Sequence, residues 1–584
     1  MSTDNPPDCI IVGYHDVDFD EVLRASYSMR GRSGSYASLR NNSVPFGARR
    51  VDYMHLLNHA LELACGENPH FHVANMPSLG AWYLASYLKK SGYRAEVVNF
   101  FGAEQDKLRE LLQQKPRAVA ITTTFYVEPR PIKEIVRFIR GIDPDVRIVI
   151  GGPYVFNLCE QTEGYPELLC EVLRDIGADL VVYDSQGELT LARILGFLRG
   201  ERHANEITVA PASKRSRSNS LAKLAPVPQT VLTDDLHHIP NLIFFDSDAM
   251  VRTPRQIESN DMNVFSEDWS SIAAEHFVPT VVTRTARSCA FSCSFCRYPI
   301  IAGPLNLKSL ETIEQQLDFF QEHGVRNLVI IDDTFNVPLP RFKDICRLLI
   351  RKHYDFEWFA YFRAANADED CFDLMAESRC GGVFLGIESG DQSILDNMHK
   401  SSRVDKYVTA IKKLNERDII TFASLIVGFP GETATTVRNT QRFLEEAQPT
   451  YYRAELYYHG TNTPIHEQRS RFGIKSAGYS WKHDTMSWQE ALEQISTLYR
   501  MIRTSVILPV YNFDFWCIPY LLGRGLTKGQ IYDFVKAANV VMLEELNGGQ
   551  ADAQADLARL ARPLQQGIGR FNLAGRKQPE CLHT

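Results

Sequence analysis

Cys289, Cys293 and Cys296 stand in the stretch RSCAFSCSFCRYP, with the spacing CxxxCxxC. Thiolates favour soft metals, so in a reducing compartment this run reads as a metal or cluster site before a redox switch. Structural zinc calls for a fourth Cys or His at short spacing, and none lies between Thr285 and Leu305. A [4Fe–4S] cluster held by three cysteines leaves one iron open. A substrate or cofactor can then bind metal directly, and the missing fourth thiolate is what points to chemistry.

Such a loop needs a rigid frame, and the periodicity around it predicts one. Between about residues 278 and 460, PTVVTRTAR, NLVIIDDTF, FEWFAYFR, GVFLGIESG, ITFASLIVGFPG and YYRAELYY read as strands, with helical patterns between most of them. The spacing predicts about six parallel strands in an open barrel. An earlier alternation runs through CIIVGY, AEVVNF, AVAITTTF, RIVIGGP and DLVVYDSQGE. Its helices include LGAWYLASYLKKSG, ended by Gly92, and PIKEIVRFIRGI. Repeated β-then-α predicts a parallel, doubly wound sheet, whose ligands bind beyond the C-terminal strand ends. Those ends carry Thr122, Thr123 and Thr124, then Gly151, Gly152 and Pro153, then Ser185, Gln186, Gly187 and Glu188.

Between the alternations, ASKRSRSNSLAKLAPVP reads as a linker and PNLIFFDSDAMVRTP as a hairpin leading into the next domain. The C-terminal stretches SWQEALEQISTLYRMIR and QIYDFVKAANVVMLEEL predict a mainly helical end. Its aromatics, Trp481, Trp488, Tyr511, Phe513, Phe515 and Trp516, are expected mostly as core. The expected division is 1–200, 201–277, 278–470 and 471–584, in keeping with roughly three to four folding units for this length. No period of about 20 to 50 residues recurs.

Hydrophobic content of 44% and charged content of 23% are those of a soluble globular protein. A net charge of -8 argues against nucleic acid as the main partner. The start, MSTDNPPD, lacks the features of a secretory signal, and no apolar run approaches the roughly 20 residues that span a bilayer. A cytoplasmic protein without membrane partners is expected. Of the twelve cysteines, most are scattered singly in apolar segments, which speaks against a disulfide framework.

With Phe295 before its last cysteine, the loop resembles the signature of the radical S-adenosylmethionine (SAM) superfamily, CxxxCxφC. The resemblance implies that the open iron is chelated by the amino and carboxylate groups of SAM, which one electron then splits to a 5′-deoxyadenosyl radical. It further implies that Asp332 and Asp333 meet the SAM amino group, and that Arg363 pairs with the SAM carboxylate through its planar fork. By the same resemblance Glu388 and Ser389 hold the ribose, and Gly428 in LIVGFPGE lies at the adenine. Tyr457 and Tyr458 stand near substrate or adenosine. Taken singly, an Asp after a strand is a turn or cap residue, and an Arg at a strand end is a surface charge.

A Rossmann-like unit ahead of such a barrel resembles the cobalamin-binding radical SAM class. The loop NMPSLG, with Asn75, Pro77, Ser78, Leu79 and Gly80, matches the spacing of the DxHxxG motif seen in other cobalamin domains. Pro77 takes the histidine position and has no ligating atom, so cobalamin is expected without a protein histidine from this motif on cobalt. His70 and His72 are nearby alternatives. GGPYVFN, with Gly151, Gly152, Pro153 and Tyr154, and DSQGE, with Gln186, Gly187 and Glu188, resemble the loops that cradle the nucleotide tail. No GxGxxG follows the first strand, which weakens a dinucleotide reading.

Over both α/β regions the chain is most similar to the phosphinothricin-pathway P-methyltransferase family. The resemblance implies methylation of an unactivated carbon or a phosphinate phosphorus of a secondary-metabolite or peptide substrate, with methylcobalamin as the methyl carrier. Substrate is expected at the interface of the two cofactor domains, with an electron donor such as flavodoxin or ferredoxin. A phosphinate calls for cations, for which Arg284, Arg287, Arg297 and Arg453 are candidates. A rearrangement or ring contraction without methyl transfer, and a non-catalytic cofactor-binding protein, are the competing readings.

Overall fold

The computed structural model describes residues 6–16, 18–66, 68–200, 235–258, 260–271, 279–549 and 552–565. The expected linker lies outside the described residues. The first sheet has seven strands: β1 (Cys9–Tyr14), β2 (Ala95–Phe100), β3 (Ala118–Thr122), β4 (Arg147–Gly151), β5 (Leu180–Val182), β6 (Leu242–Asp246) and β7 (Ala249–Arg252). Their order is β2-β1-β3-β4-β5-β6-β7. The first five are parallel, and β6 and β7 are antiparallel additions. Residues Cys9 to Val12 and Ile148, Val149 and Ile150 are buried, as strands covered on both faces must be. The strand order reverses between β1 and β3, which opens a crevice beyond their C-terminal ends.

The second sheet follows chain order: β8 (Thr280–Thr283), β9 (Asn327–Ile330), β10 (Glu357–Phe362), β11 (Cys380–Glu388), β12 (Ile420–Val427), β13 (Tyr451–Leu456) and β14 (Val506–Ile507). All neighbours are parallel and no pairing joins β8 to β14, so the barrel is open. The expected six strands are all present. The seventh, β14, is two residues long and falls in the stretch expected to be helical, where so short an apolar run carries no strand signal.

Two expected boundaries differ from the structure. The hairpin β6–β7 extends the first sheet instead of leading into the second domain, because β6 pairs with β5 through Leu242, Ile243 and Phe244. The compact units are Met1–Val17 with Ser78–Ile272, and Asp18–Pro77 with Ala273–Thr584. Residues 18–77 join the second unit because Tyr53 donates to Asn539 Oδ1 (3.0 Å) and Arg50 to Glu545 Oε1 (2.6 Å). Both partners lie on the helix Lys528–Leu546. The C-terminal aromatics are largely core, as expected. Trp481, Phe513 and Phe515 are buried, and Phe515 stacks on Phe422 of β12. No described helix is long and apolar enough to cross a membrane.

Candidate functional site

The cysteine loop leaves β8 through a small clasp in which Ala286–Arg287 pairs antiparallel with Asn306–Leu307. Ser288, at φ 76°, turns the chain into the loop, and its hydroxyl donates to the Gly303 carbonyl at 2.6 Å. Inside, Cys296 N–H donates to the Cys293 carbonyl (3.0 Å). Ser294 is tied to the carbonyls of Met398 and Asn397, both at 2.9 Å. Cys289 Sγ lies 3.2 Å from Thr334 Oγ1. Burial pushes the Cys296 thiol up to about 11 against a backbone bond to Tyr298, and the neighbouring Cys293, Cys289 and Asp333 add to the rise. Bound iron would reverse this rise by stabilising the thiolate. Among the described residues no three such groups converge on a single ion position.

Asp332 and Asp333 part ways. Asp332 is buried and accepts from Thr285 N (2.6 Å), Ala286 N (2.9 Å) and Thr285 Oγ1 (2.5 Å). It clamps the entry of the cysteine loop. Asp333 keeps an exposed edge, but burial of its carboxyl pushes it up to about 6, Arg284 opposing and Asp332 adding.

Arg363 was expected to meet the SAM carboxylate. It is 8% exposed, its guanidinium lies 3.6 Å from the centroid of the Phe291 ring, and its Nη2 donates to Ser402 Oγ at 3.4 Å. Its Nε has no hydrogen-bond partner. Such an orphaned buried donor in a cation is costly unless an anion arrives.

Glu388 and Ser389 are otherwise engaged. Glu388 forms a buried ion pair with Lys400 at 2.7 Å, and Lys400 sits over the Phe295 ring at 5.6 Å. Burial works against the Lys400 charge, but the Glu388 carboxylate outweighs it and raises the pKa. A Cβ on Gly386 would come within 2.7 Å of Glu388 Oε1. Ser389 is fully buried and contacts Thr440 Oγ1 at 3.4 Å. Gly428 needs no adenine to explain it: its φ is 94° and a Cβ would stand 2.3 Å from the Trp481 ring. Tyr457 is buried, with its hydroxyl 3.0 Å from His459 Nδ1, and Tyr458 is exposed.

In the first unit the predicted loops do gather at strand exits, but several side chains serve the frame. Thr122 donates to the Gly13 carbonyl at 2.6 Å and so ties β3 to β1 at the crevice. Thr123 donates to the Gly151 carbonyl at 3.0 Å. Gly152, at φ 116°, passes so close that a Cβ would meet Thr123 Oγ1 at 3.0 Å. Gln186 donates to the Glu258 carbonyl, and Glu188 accepts from Asn260 at 2.7 Å. Gly187 packs on Val182. Exposed or half-exposed are Thr124, Pro153, Tyr154, Ser78 and Gly80. Ser78 opens the helix Leu79–Lys90 beside Gly13, at the end of β1, and Leu79 is buried. That helix offers backbone N–H groups at the crevice. Asn75 and Pro77 fall in the other unit, where Asn75 donates to the Tyr520 hydroxyl at 3.2 Å. His72 Nδ1 accepts from Ala74 N at 3.0 Å.

Lys400 and the histidines after β13 were not among the expected site residues. Their contacts to Glu388 and Tyr457 join positions whose sequence spacing follows no motif.

Residues 283–444 match the radical SAM superfamily and residues 73–185 match the B12 binding domain. The chain thus carries one region similar to the radical SAM superfamily and, before it, one similar to the B12 binding domain. The fold is that of the radical SAM methyltransferase TsrM from Kitasatospora setae, solved with cobalamin and a [4Fe–4S] cluster. The TM-score is 0.57 at 18% identity, over 81% of this chain and 97% of that one. The chain is 23% identical to the anaerobic magnesium-protoporphyrin IX monomethyl ester cyclase of Rubrivivax gelatinosus, over 74% of its own length and 76% of the cyclase. It is 24% identical to an uncharacterized methyltransferase of Pyrococcus horikoshii, over 64% and 74% of the two chains.

Proposed function

We propose that this protein is a cobalamin-dependent radical SAM methyltransferase acting on an unactivated carbon or a phosphinate phosphorus of a secondary-metabolite or peptide substrate. The presence of both cofactor domains on one chain carries the reading. When bound, the cluster and SAM supply a carbon radical and cobalamin supplies the methyl group. The chain's own part is positioning. Asp332 fixes the backbone that enters the cysteine loop, Arg363, with its unbonded Nε, would hold a carboxylate, and the exposed Asp333 would meet an ammonium group. At the crevice of the first sheet, the backbone of the helix Leu79–Lys90, the exposed Thr124 and the half-exposed Tyr154 are the groups that would meet cobalamin. Of the candidate cations for a phosphinate, Arg453 is already paired with Glu455 at 2.7 Å.

The similarity to the cyclase favours one second reading, radical chemistry without methyl transfer. Anaerobic reconstitution with iron, sulfide, cobalamin, SAM and a reductant separates the two. The methyltransferase yields both S-adenosylhomocysteine and 5′-deoxyadenosine, dependent on cobalamin and lost in Cys293→Ala. Deoxyadenosine alone would support the second reading, and a stable cluster with no SAM consumed would overturn both.

A further inference from the structure

Three side chains form a hydrogen-bonded chain that leaves the strand-exit end of the second sheet. Tyr457 follows β13 directly and is 3% exposed. Its ring packs on Phe429 at 5.2 Å, and Phe429 meets Phe295 of the cysteine loop at 6.4 Å. The Tyr457 hydroxyl lies 3.0 Å from His459 Nδ1, and His459 Nε2 lies 2.9 Å from His466 Nδ1. His459 is 1% exposed, whereas His466, on the short helix Pro464–Glu467, is half-buried. That helix is fastened to the cysteine loop, since Ile465 N–H donates to the Ser294 carbonyl at 2.8 Å.

A neutral imidazole has one donor and one acceptor nitrogen. When Tyr457 donates to His459 Nδ1, His459 Nε2–H donates to His466 Nδ1, and His466 Nε2–H becomes the outward donor. Reversing every hydrogen leaves both internal bonds equally well made, which is what a proton shuttle requires. Burial, followed by the nearby His466, holds His459 down to about 4, so it stays neutral near pH 7. A purely structural phenol needs one acceptor; two imidazoles in series running toward the surface exceed that need.

We propose that Tyr457, His459 and His466 form a proton relay between the strand-exit end of the second sheet and solvent, serving a ligand whose O–H or N–H group loses a proton during turnover. The inference rests on reading that end as the reaction site. As the ligand's X–H bond breaks, its proton passes to the Tyr457 oxygen and the phenol hydrogen moves to His459 Nδ1. The Nε2 hydrogen of His459 moves to His466 Nδ1, and the Nε2 hydrogen of His466 leaves to water. One proton enters, one leaves, and no electron is exchanged.

The test is hydrogen exchange of the His459 imidazole in the full chain without cofactors, by NMR of protein labelled with 15N-histidine. A relay makes this buried hydrogen exchange readily. His466→Ala slows the exchange, and imidazole added to the buffer restores it. A His459 hydrogen that persists in D2O in the wild type overturns the relay. So does exchange that His466→Ala leaves unchanged or speeds, or a slowing that imidazole fails to reverse. Because no cofactor is needed, these failures are separate from failure of the product assay above.

Discussion

Replacing Asp332 by alanine should release the cysteine loop from its frame, whereas replacing its neighbour Asp333 should spare the frame and weaken SAM binding. Asp332 is 1% exposed and accepts from two backbone N–H groups and one hydroxyl, all on Thr285 and Ala286, which are themselves buried. Alanine leaves two buried N–H groups unsatisfied at about 1–3 kcal/mol each, so a loss of about 4 kcal/mol is expected. Asparagine keeps one oxygen and should cost about 1–2 kcal/mol, as a charged acceptor becomes a neutral one. The exposed Asp333 should change stability by less than about 0.5 kcal/mol as asparagine. The assays are denaturant unfolding of the cofactor-free protein, cluster content after reconstitution, and SAM affinity by calorimetry. Asp332→Ala should lose both stability and cluster, and Asp333→Asn should retain both while SAM affinity falls. A stable Asp332→Ala protein with a full cluster, or unchanged SAM affinity in Asp333→Asn, would refute the division of roles.

Arg363→Gln should leave the fold intact, since no ion pair is broken, but should weaken SAM binding by at least about tenfold, the equivalent of about 1.4 kcal/mol; calorimetric titration checks this. Lys400→Met strands the Glu388 carboxylate and should cost about 3–5 kcal/mol in denaturant unfolding, most of it recovered in the double variant with Glu388→Gln; additive losses would sink the argument. Burial raises the Glu432 carboxyl from an ordinary 4.5 to about 8, against bonds from the Gly428 and Phe429 backbone. The folded chain thus keeps a proton that the unfolded chain releases, and this group makes stability fall as pH rises between about 4.5 and 8. Glu432→Gln should flatten that slope in melting curves taken across the window.

Much of this protein could be read directly from its sequence. The parallel strands and the cysteine loop depend on local patterns: runs of buried apolar residues, glycines at turns, and a ligand spacing contained within eight residues. Those patterns survive without knowledge of the chain path. They also located the strand exits, because a βα turn is punctuated by small and polar residues whatever it binds. What the tertiary structure decided is which polar group at each exit is already spent. Asp332 and Asp333 are indistinguishable as letters, yet one lies under the Thr285–Ala286 backbone and the other is exposed. Glu388 looks like a ligand contact until Lys400 returns to it, and Glu188 until Asn260 does. The same holds for residues 18–77, whose place in the second unit follows from partners near the far end of the chain, Asn539 and Glu545. Hydrogen-bond partnership is settled by where distant segments pass in space, and no local periodicity encodes that distance.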